Sequence, residues 1–156
     1  MKYWEMKLKD NNMINLVMQH LIKQMVSEVS RVAQLEPKII SFVIPCYKSE
    51  GSVGLVIDEI RETVAQRPEF DYQIVAVNDC SPDGLLDVIV AKAQEDERVL
   101  AIDLAKNGGR HNALMCGCHY VTGDYVVFCD DDQQCPMDRL WDLLAPLINN
   151  PEDGGG

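Results

Sequence analysis

From Ile39 onward the chain alternates short, nearly unbroken apolar runs with longer stretches of helical period. The runs Ile39 to Ile44, Tyr72 to Val77, Val99 to Leu104 and Tyr125 to Cys129 are rich in β-branched and aromatic residues. A strand covered on both faces needs that composition, because neither side of its pleat meets water. The segments between and after them, Val53 to Ala65, Leu85 to Ala93, Asn112 to Tyr120 and Met137 to Ile148, read as helices. In the last of these, Leu140, Leu143, Leu144, Leu147 and Ile148 form one apolar stripe. The order is βαβαβαβα, the pattern of a parallel sheet flanked by helices.

Punctuation agrees with these bounds. Arg67-Pro68 closes the first helix, Thr122-Gly123-Asp124 turns into the fourth strand, and Asn149-Asn150-Pro151 stops the last helix. Ser81 followed by Pro82 reads as an N-cap with proline at the first helical position, and Asp83 suits the positive end of the helix dipole. Before Lys38 the pattern changes: Ile14, Met18, Leu21, Met25, Val32 and Leu35 recur at alternating four and three spacing, interrupted by Glu28. This predicts one amphipathic helix that packs on the domain's own surface or, as the alternative, on a second copy to give a homodimer. The expected organisation is a helical extension over 1–37, an α/β domain over 38–150 and a flexible glycine-ended tail over 151–156.

At 156 residues the chain can bury one core. Its 25 acidic against 14 basic residues give a formal charge of -11, which repels polyanions and argues against nucleic acid as a partner. An acidic protein that handles phosphate needs a local cation, which a divalent metal supplies without a basic surface. The six cysteines have no metal-ribbon spacing and sit largely in apolar runs, so free thiols in a reduced, cytoplasmic compartment are expected. Polar residues interrupt every N-terminal apolar stretch before a signal-peptide core forms, and no run of about 18 apolar residues predicts a membrane span.

In open parallel sheets ligands bind beyond the carboxyl ends of the strands, so the residues after each strand carry the chemistry. After the fourth come Asp130, Asp131 and Asp132, then Gln134. If the strand runs on, Asp130 and Asp132 point the same way, and two convergent carboxylates are relieved by a hard cation such as Mg²⁺ or Mn²⁺. After the second strand Asp79 can accept from the ring N–H and exocyclic amine of a base. After the first, Pro45 sets the chain's exit and Tyr47 offers a ring for stacking on a base or ribose. In the third loop Gly108 and Gly109 precede a helix whose free amides could hold an anion, and Arg110 and His111 face phosphate, acceptor or plain solvent. A zinc site from Cys46, Cys80, Cys135 and His111 lacks close cysteine pairs. A dehydrogenase would need G-x-G-x-x-G after the first strand, where this chain has Pro45-Cys46-Tyr47-Lys48-Ser49-Glu50-Gly51.

Together the loops resemble glycosyltransferase family 2, which has the GT-A fold and a strand-end DxD motif. "SFVIPCYKSEGSVGLVIDEI" is similar to the family's opening strand, loop and helix, "IVAVNDCSPDG" to its base-binding strand, and "NGGRHNALMCGCHYVTGDYVVFCDDDQQCP" to the segment leading through the DxD. Within the family the last stretch most resembles the polyprenyl-phosphate glycosyltransferases. The resemblance implies a GT-A (Rossmann-like) α/β fold, mostly parallel, truncated after its fourth βα unit and preceded by a helix. It implies that Asp130 and Asp132 are the catalytic DxD carboxylates that hold Mg²⁺ or Mn²⁺ with Gln134. Pro45, Tyr47, Asp79 and Asp131 match nucleotide-sugar contacts, and Glu50 takes over an acidic role, because Ser49 stands where many relatives carry glutamate. Lys48, Gly108 and Cys135 also depart from the family pattern, replacing an asparagine, an aromatic and an aspartate. The implied activity is inverting transfer of a sugar from a UDP- or GDP-linked donor to an acceptor, a polyprenyl phosphate, at the inner face of the membrane. Relatives continue into an acceptor-binding half, so a donor-binding module without transferase activity is the alternative.

Overall fold

The structure, a computed structural model, describes the backbone of residues 3–33, 36–134 and 136–149, with side chains for 13–29, 36–134 and 136–149. The chain divides into two units between Glu36 and Pro37. The first holds α1 (Tyr3–Ala33), the predicted N-terminal helix. Its apolar side chains from Met13 to Val29, including Ile14, Met18, Leu21 and Met25, are exposed; Val32 and Leu35 lie outside the described side chains. No helix among the described residues is long and apolar enough to cross a membrane.

The second unit runs β1 (Lys38–Cys46), α2 (Val53–Val64), β2 (Phe70–Asn78), α3 (Leu85–Glu95), β3 (Val99–Asp103), α4 (Arg110–Cys118), β4 (Tyr125–Phe128), a short 3₁₀ turn (Met137–Arg139) and α5 (Leu140–Asn149). The four strands make one sheet, order β3-β2-β1-β4, with every pairing parallel. The chain builds outward from β1 through β2 to β3, then α4 carries it back across so that β4 pairs with β1 on the other side. That reversal creates a topological switch point between β1 and β4, where ligands of open α/β sheets bind.

Alternation along the strands divides the core. Ile40, Phe42 and Ile44 of β1 and Tyr72, Ile74 and Ala76 of β2 pack with α2, Leu85 and Ile89 of α3, and Leu140 and Leu144 of α5. Phe42 is wholly buried, and burial of such a side chain contributes on the order of 2–3 kcal/mol. Val75 and Val77 face the other way, with Ala113 of α4. α4 has little apolar surface and packs by close approach instead: a β-carbon on Gly117 would come within 2.4 Å of Val43 Cγ1. In α5 the predicted stripe is narrower than expected, because Leu143 is 63% and Leu147 37% exposed while Leu140 and Leu144 are buried.

One charged cluster ties the opposite end of the sheet. Asp96, the C-cap residue of α3, accepts Tyr72 Oη at 2.5 Å and Arg98 Nε at 2.9 Å, and the guanidinium of Arg98 stacks over the Tyr72 ring. The Arg98 hydrogen bonds hold the Asp96 carboxyl below the usual carboxylate range. A group with a depressed folded-state pKa stabilises the fold above its unfolded value of about 3.9 and loses that contribution as pH falls through the folded value. Urea melts are therefore expected to give falling stability below about pH 4, with a shallower acid limb in Asp96→Asn.

Candidate functional site

The strand-end loops collect at the switch point, beginning with Pro45. Cys129 N donates to Val43 O at 3.1 Å, so the next rung of the parallel ladder would run from residue 45 to the Cys129 carbonyl. Proline has no N–H to make it. β4 accordingly ends at Phe128, and residues 131–133 bend instead of extending the strand. The expectation that Asp130 and Asp132 align by strand alternation is thus corrected: the segment leaves the sheet and folds over the loop after β1.

There Asp131 anchors it. Tyr47 N donates to Asp131 Oδ2 at 3.0 Å, and Ser52 Oγ donates to Asp131 O at 2.5 Å. Asp130 is half-exposed and pairs with the Arg110 guanidinium. Asp132 is exposed, and its Oδ1 accepts Gln134 N at 3.1 Å. The middle aspartate is therefore spent on joining two loops, which leaves its two neighbours as the outward carboxylates.

Asp79 organises the other side. It is buried, and its two carboxylate oxygens accept Gly108 N at 2.7 Å and Gly109 N at 2.8 Å, while Asn107 Nδ2 donates to its carbonyl at 3.1 Å. The helix-end amides expected to hold an anion hold an internal one. Each carboxylate oxygen still has a second acceptor position. Gly109, at φ 83°, then turns the chain into α4 so that Arg110 is its first residue.

Each of the four loops contains one left-handed residue: Lys48 (φ 58°), Cys80 (φ 52°), Gly109 and Gln133 (φ 62°). For a non-glycine residue that conformation costs about 1–2 kcal/mol and persists only where surrounding contacts enforce it. Those contacts are visible at Lys48, whose N donates to Ser81 Oγ at 2.8 Å. Ser81 in turn donates to Asp83 at 2.5 Å. This corrects the capping role expected for Ser81: α3 begins at Leu85 with Gly84 as N-cap and no side-chain cap, because the hydroxyl is drawn into the link between loops. Glu50 belongs to the same link, accepting Gly84 N at 2.5 Å while Glu50 N donates to Asp83 at 3.2 Å.

The result is a cavity of about 300 Å³ lined by Pro45, Cys46, Tyr47, Asp79, Asn107, Gly109, Arg110 and Asp131. The structure thus brings together Pro45, Tyr47, Asp79 and Asp131 in one lining, and leaves Glu50, Asp130, Asp132 and Gln134 outside it. The exposed ring of Tyr47 forms one wall. Beside it the Cys46 thiol is pushed above the ordinary range by burial and by the Asp131 charge, which keeps it protonated and unreactive.

The sequence profile of glycosyl transferase family 2 matches residues 41–154, which covers all four strand-end loops. The chain belongs to that family. It is 32% identical over 118 residues to the undecaprenyl-phosphate 4-deoxy-4-formamido-L-arabinose transferase of Photorhabdus laumondii, an alignment covering 75% of this chain and 35% of the relative. It therefore spans about a third of that relative's length. Among solved structures, a mannosyltransferase from Pyrobaculum calidifontis in complex with GDP-Man and Mn²⁺ superposes with a TM-score of 0.60 at 21% identity, over 73% of this chain and 33% of the other. S. aureus TarS in complex with UDP superposes with a TM-score of 0.55 at 26% identity, over 72% and 32%. The GT-A architecture is established by these superpositions.

Family 2 chains with a DxD motif are expected to take a divalent ion, and the donor set here fits one. Asp130, Asp132 and Gln134 offer only hard oxygen donors. Among the described residues no group of three or more His, Cys, Asp or Glu side chains is placed to hold a metal ion. A Mg²⁺-like ion does not require one, since it is commonly held by one or two carboxylates with water and substrate phosphate completing the shell.

Sequence reasoning missed Ser52 and Asn107. Ser52 stands at the N-cap position of α2 without making a side-chain cap, and its hydroxyl donates to the Asp131 carbonyl instead. Asn107 lay in the third loop, which was read through Gly108, Gly109, Arg110 and His111.

Proposed function

We propose that this family 2 domain binds a UDP- or GDP-linked sugar at the β1–β4 switch point, with Mg²⁺ or Mn²⁺ held by Asp130, Asp132 and Gln134, for transfer of the sugar to a polyprenyl phosphate. The observation that carries this reading is the Tyr47–Asp131 hydrogen bond. It draws the DxD segment across to the loop after β1, and the Arg110–Asp130 ion pair ties Asp130 to a residue that lines the cavity walled by Tyr47 and Asp79.

In this reading Tyr47 stacks on the base or ribose, and the unused acceptor positions of Asp79 meet base N–H groups. Pro45 shapes the exit from β1, and Glu50 contributes through the second loop. When bound, the ion neutralises charge developing on the departing diphosphate. Asp130 and Asp132 supply its carboxylates, and Asp131 keeps their loop in place. A phosphate acceptor is already ionised near neutral pH and needs no strong general base, whereas a hydroxyl acceptor would need one. The name of the Photorhabdus relative specifies a polyprenyl-phosphate acceptor, and use of such a lipid would bring the domain to the inner face of the membrane.

Calorimetric titration of UDP and GDP, each with and without Mn²⁺, tests the donor assignment. Binding of one nucleotide that depends on Mn²⁺ is expected, and equal affinity with and without the ion would count against the metal role.

A further inference from the structure

Arg110 is the only basic residue among those lining the cavity, and its guanidinium sits on Asp130 Oδ1. Its location is imposed by the fold. Asp79 fixes the Gly108 and Gly109 amides, Gly109 turns the backbone, and Arg110 begins α4 facing the end of β4. Three consecutive carboxylates, Asp130 to Asp132, repel one another unless a cation stands among them. Arg110 is the cation that the structure provides.

We propose that Arg110 is a positioning residue that couples metal to nucleotide: it pairs with Asp130 when no donor is bound and moves to the donor diphosphate when metal and nucleotide bind together. The proposal rests on the donor-site reading above. The guanidinium charge seated on Asp130 repels a divalent cation approaching the same carboxylate. Arg110 in that position therefore weakens binding of the ion alone, and its withdrawal relieves the repulsion. Even when paired with Asp130 the side chain is 63% exposed beside the cavity, so it can swing away, and a guanidinium donates in the forked geometry that suits phosphate oxygens. Nucleotide diphosphate and metal should consequently bind with positive and reciprocal coupling.

The test is Mn²⁺ binding to the whole chain without nucleotide, followed by the loss of the free-ion electron paramagnetic resonance signal, for wild type, Arg110→Gln and Arg110→Lys. Removing an exposed ion-pair partner should tighten Mn²⁺ binding by about two- to fivefold in Arg110→Gln, while Arg110→Lys, which keeps the charge, stays near wild type. At saturating Mn²⁺, UDP or GDP should bind Arg110→Gln about tenfold more weakly, the loss of one charge-assisted contact. A merely structural arginine would weaken both or neither, so opposite signs are diagnostic. If wild type and Arg110→Gln bind Mn²⁺ equally, the coupling is overturned and the donor-site reading stands. If neither binds Mn²⁺, the metal reading fails and takes the coupling with it.

Discussion

Asp79→Asn is expected to lower stability by about 2 kcal/mol and to weaken nucleotide binding at least about tenfold, although the substitution is nearly isosteric. The carboxylate accepts one backbone N–H on each oxygen, from Gly108 and from Gly109, at 2.7 and 2.8 Å. An amide has one oxygen, so its NH₂ group must face one of those N–H donors, and one of the two bonds is lost. The remaining bond also loses its charge assistance, and hydrogen bonds to charged groups are worth roughly 1.5–3 kcal/mol. Because this anchor sets the entry into α4, the damage should pass to Arg110 and the cavity wall. Urea melts and the amide resonances of Gly108 and Gly109 check it. A loss below about 0.5 kcal/mol, the range of ordinary surface substitutions, with unchanged nucleotide affinity would mean that the two amides find other partners.

Gly123→Ala should destabilise by at least about 1–3 kcal/mol, through overpacking against groups that cannot move. A β-carbon there would lie 2.6 Å from both Ile39 O and Ser41 Oγ. Both belong to β1, which is paired on both sides. Gly123 N also donates to Ser41 Oγ at 2.9 Å, and that hydroxyl, wholly buried, donates to Gln73 at 2.6 Å. Relief by displacement would pull Asp124 from Ile39 N, which it accepts at 2.9 Å, and with it the start of β4. Gly51→Ala is the control, since a β-carbon there meets nothing within 4 Å and should change stability by no more than about 0.5 kcal/mol. Equal denaturation midpoints for the two variants would contradict the account of this turn.

The β/α alternation was readable in the sequence because strands buried on both faces leave long apolar runs, as in Ile40 to Ile44, and because turn residues such as Gly123 separate them. The positions around the cavity were readable for a different reason: Tyr47 and Asp79 directly follow β1 and β2, and Asp131 follows β4 within three residues. What could not be read was which polar group meets which. Asp131 is set apart from Asp130 and Asp132 by its bonds to Tyr47 N and Ser52 Oγ, contacts between segments 84 and 79 residues apart. Ser81 looked like a helix cap because local sequence cannot reveal that Lys48 N competes for its hydroxyl. Pro45 was read as the exit from the first strand, but β1 runs on to Cys46 with Pro45 paired to Val77, and the effect of Pro45 on the length of β4 required the register between β1 and β4. Leu143 illustrates the same limit, since a helix stripe tells which residues are apolar but not how wide the covering surface is.

The measurement that tests the account most directly is calorimetric titration of UDP and GDP with and without Mn²⁺ on wild type and Asp132→Ala. Asp132 is exposed, and its only hydrogen bond given by the structure is to the nearby Gln134 N, so its removal should leave the fold intact. The account predicts Mn²⁺-dependent binding of one nucleotide to wild type and loss of that dependence in Asp132→Ala at unchanged melting temperature. Nucleotide binding that is equally strong and equally Mn²⁺-dependent in the variant would contradict it.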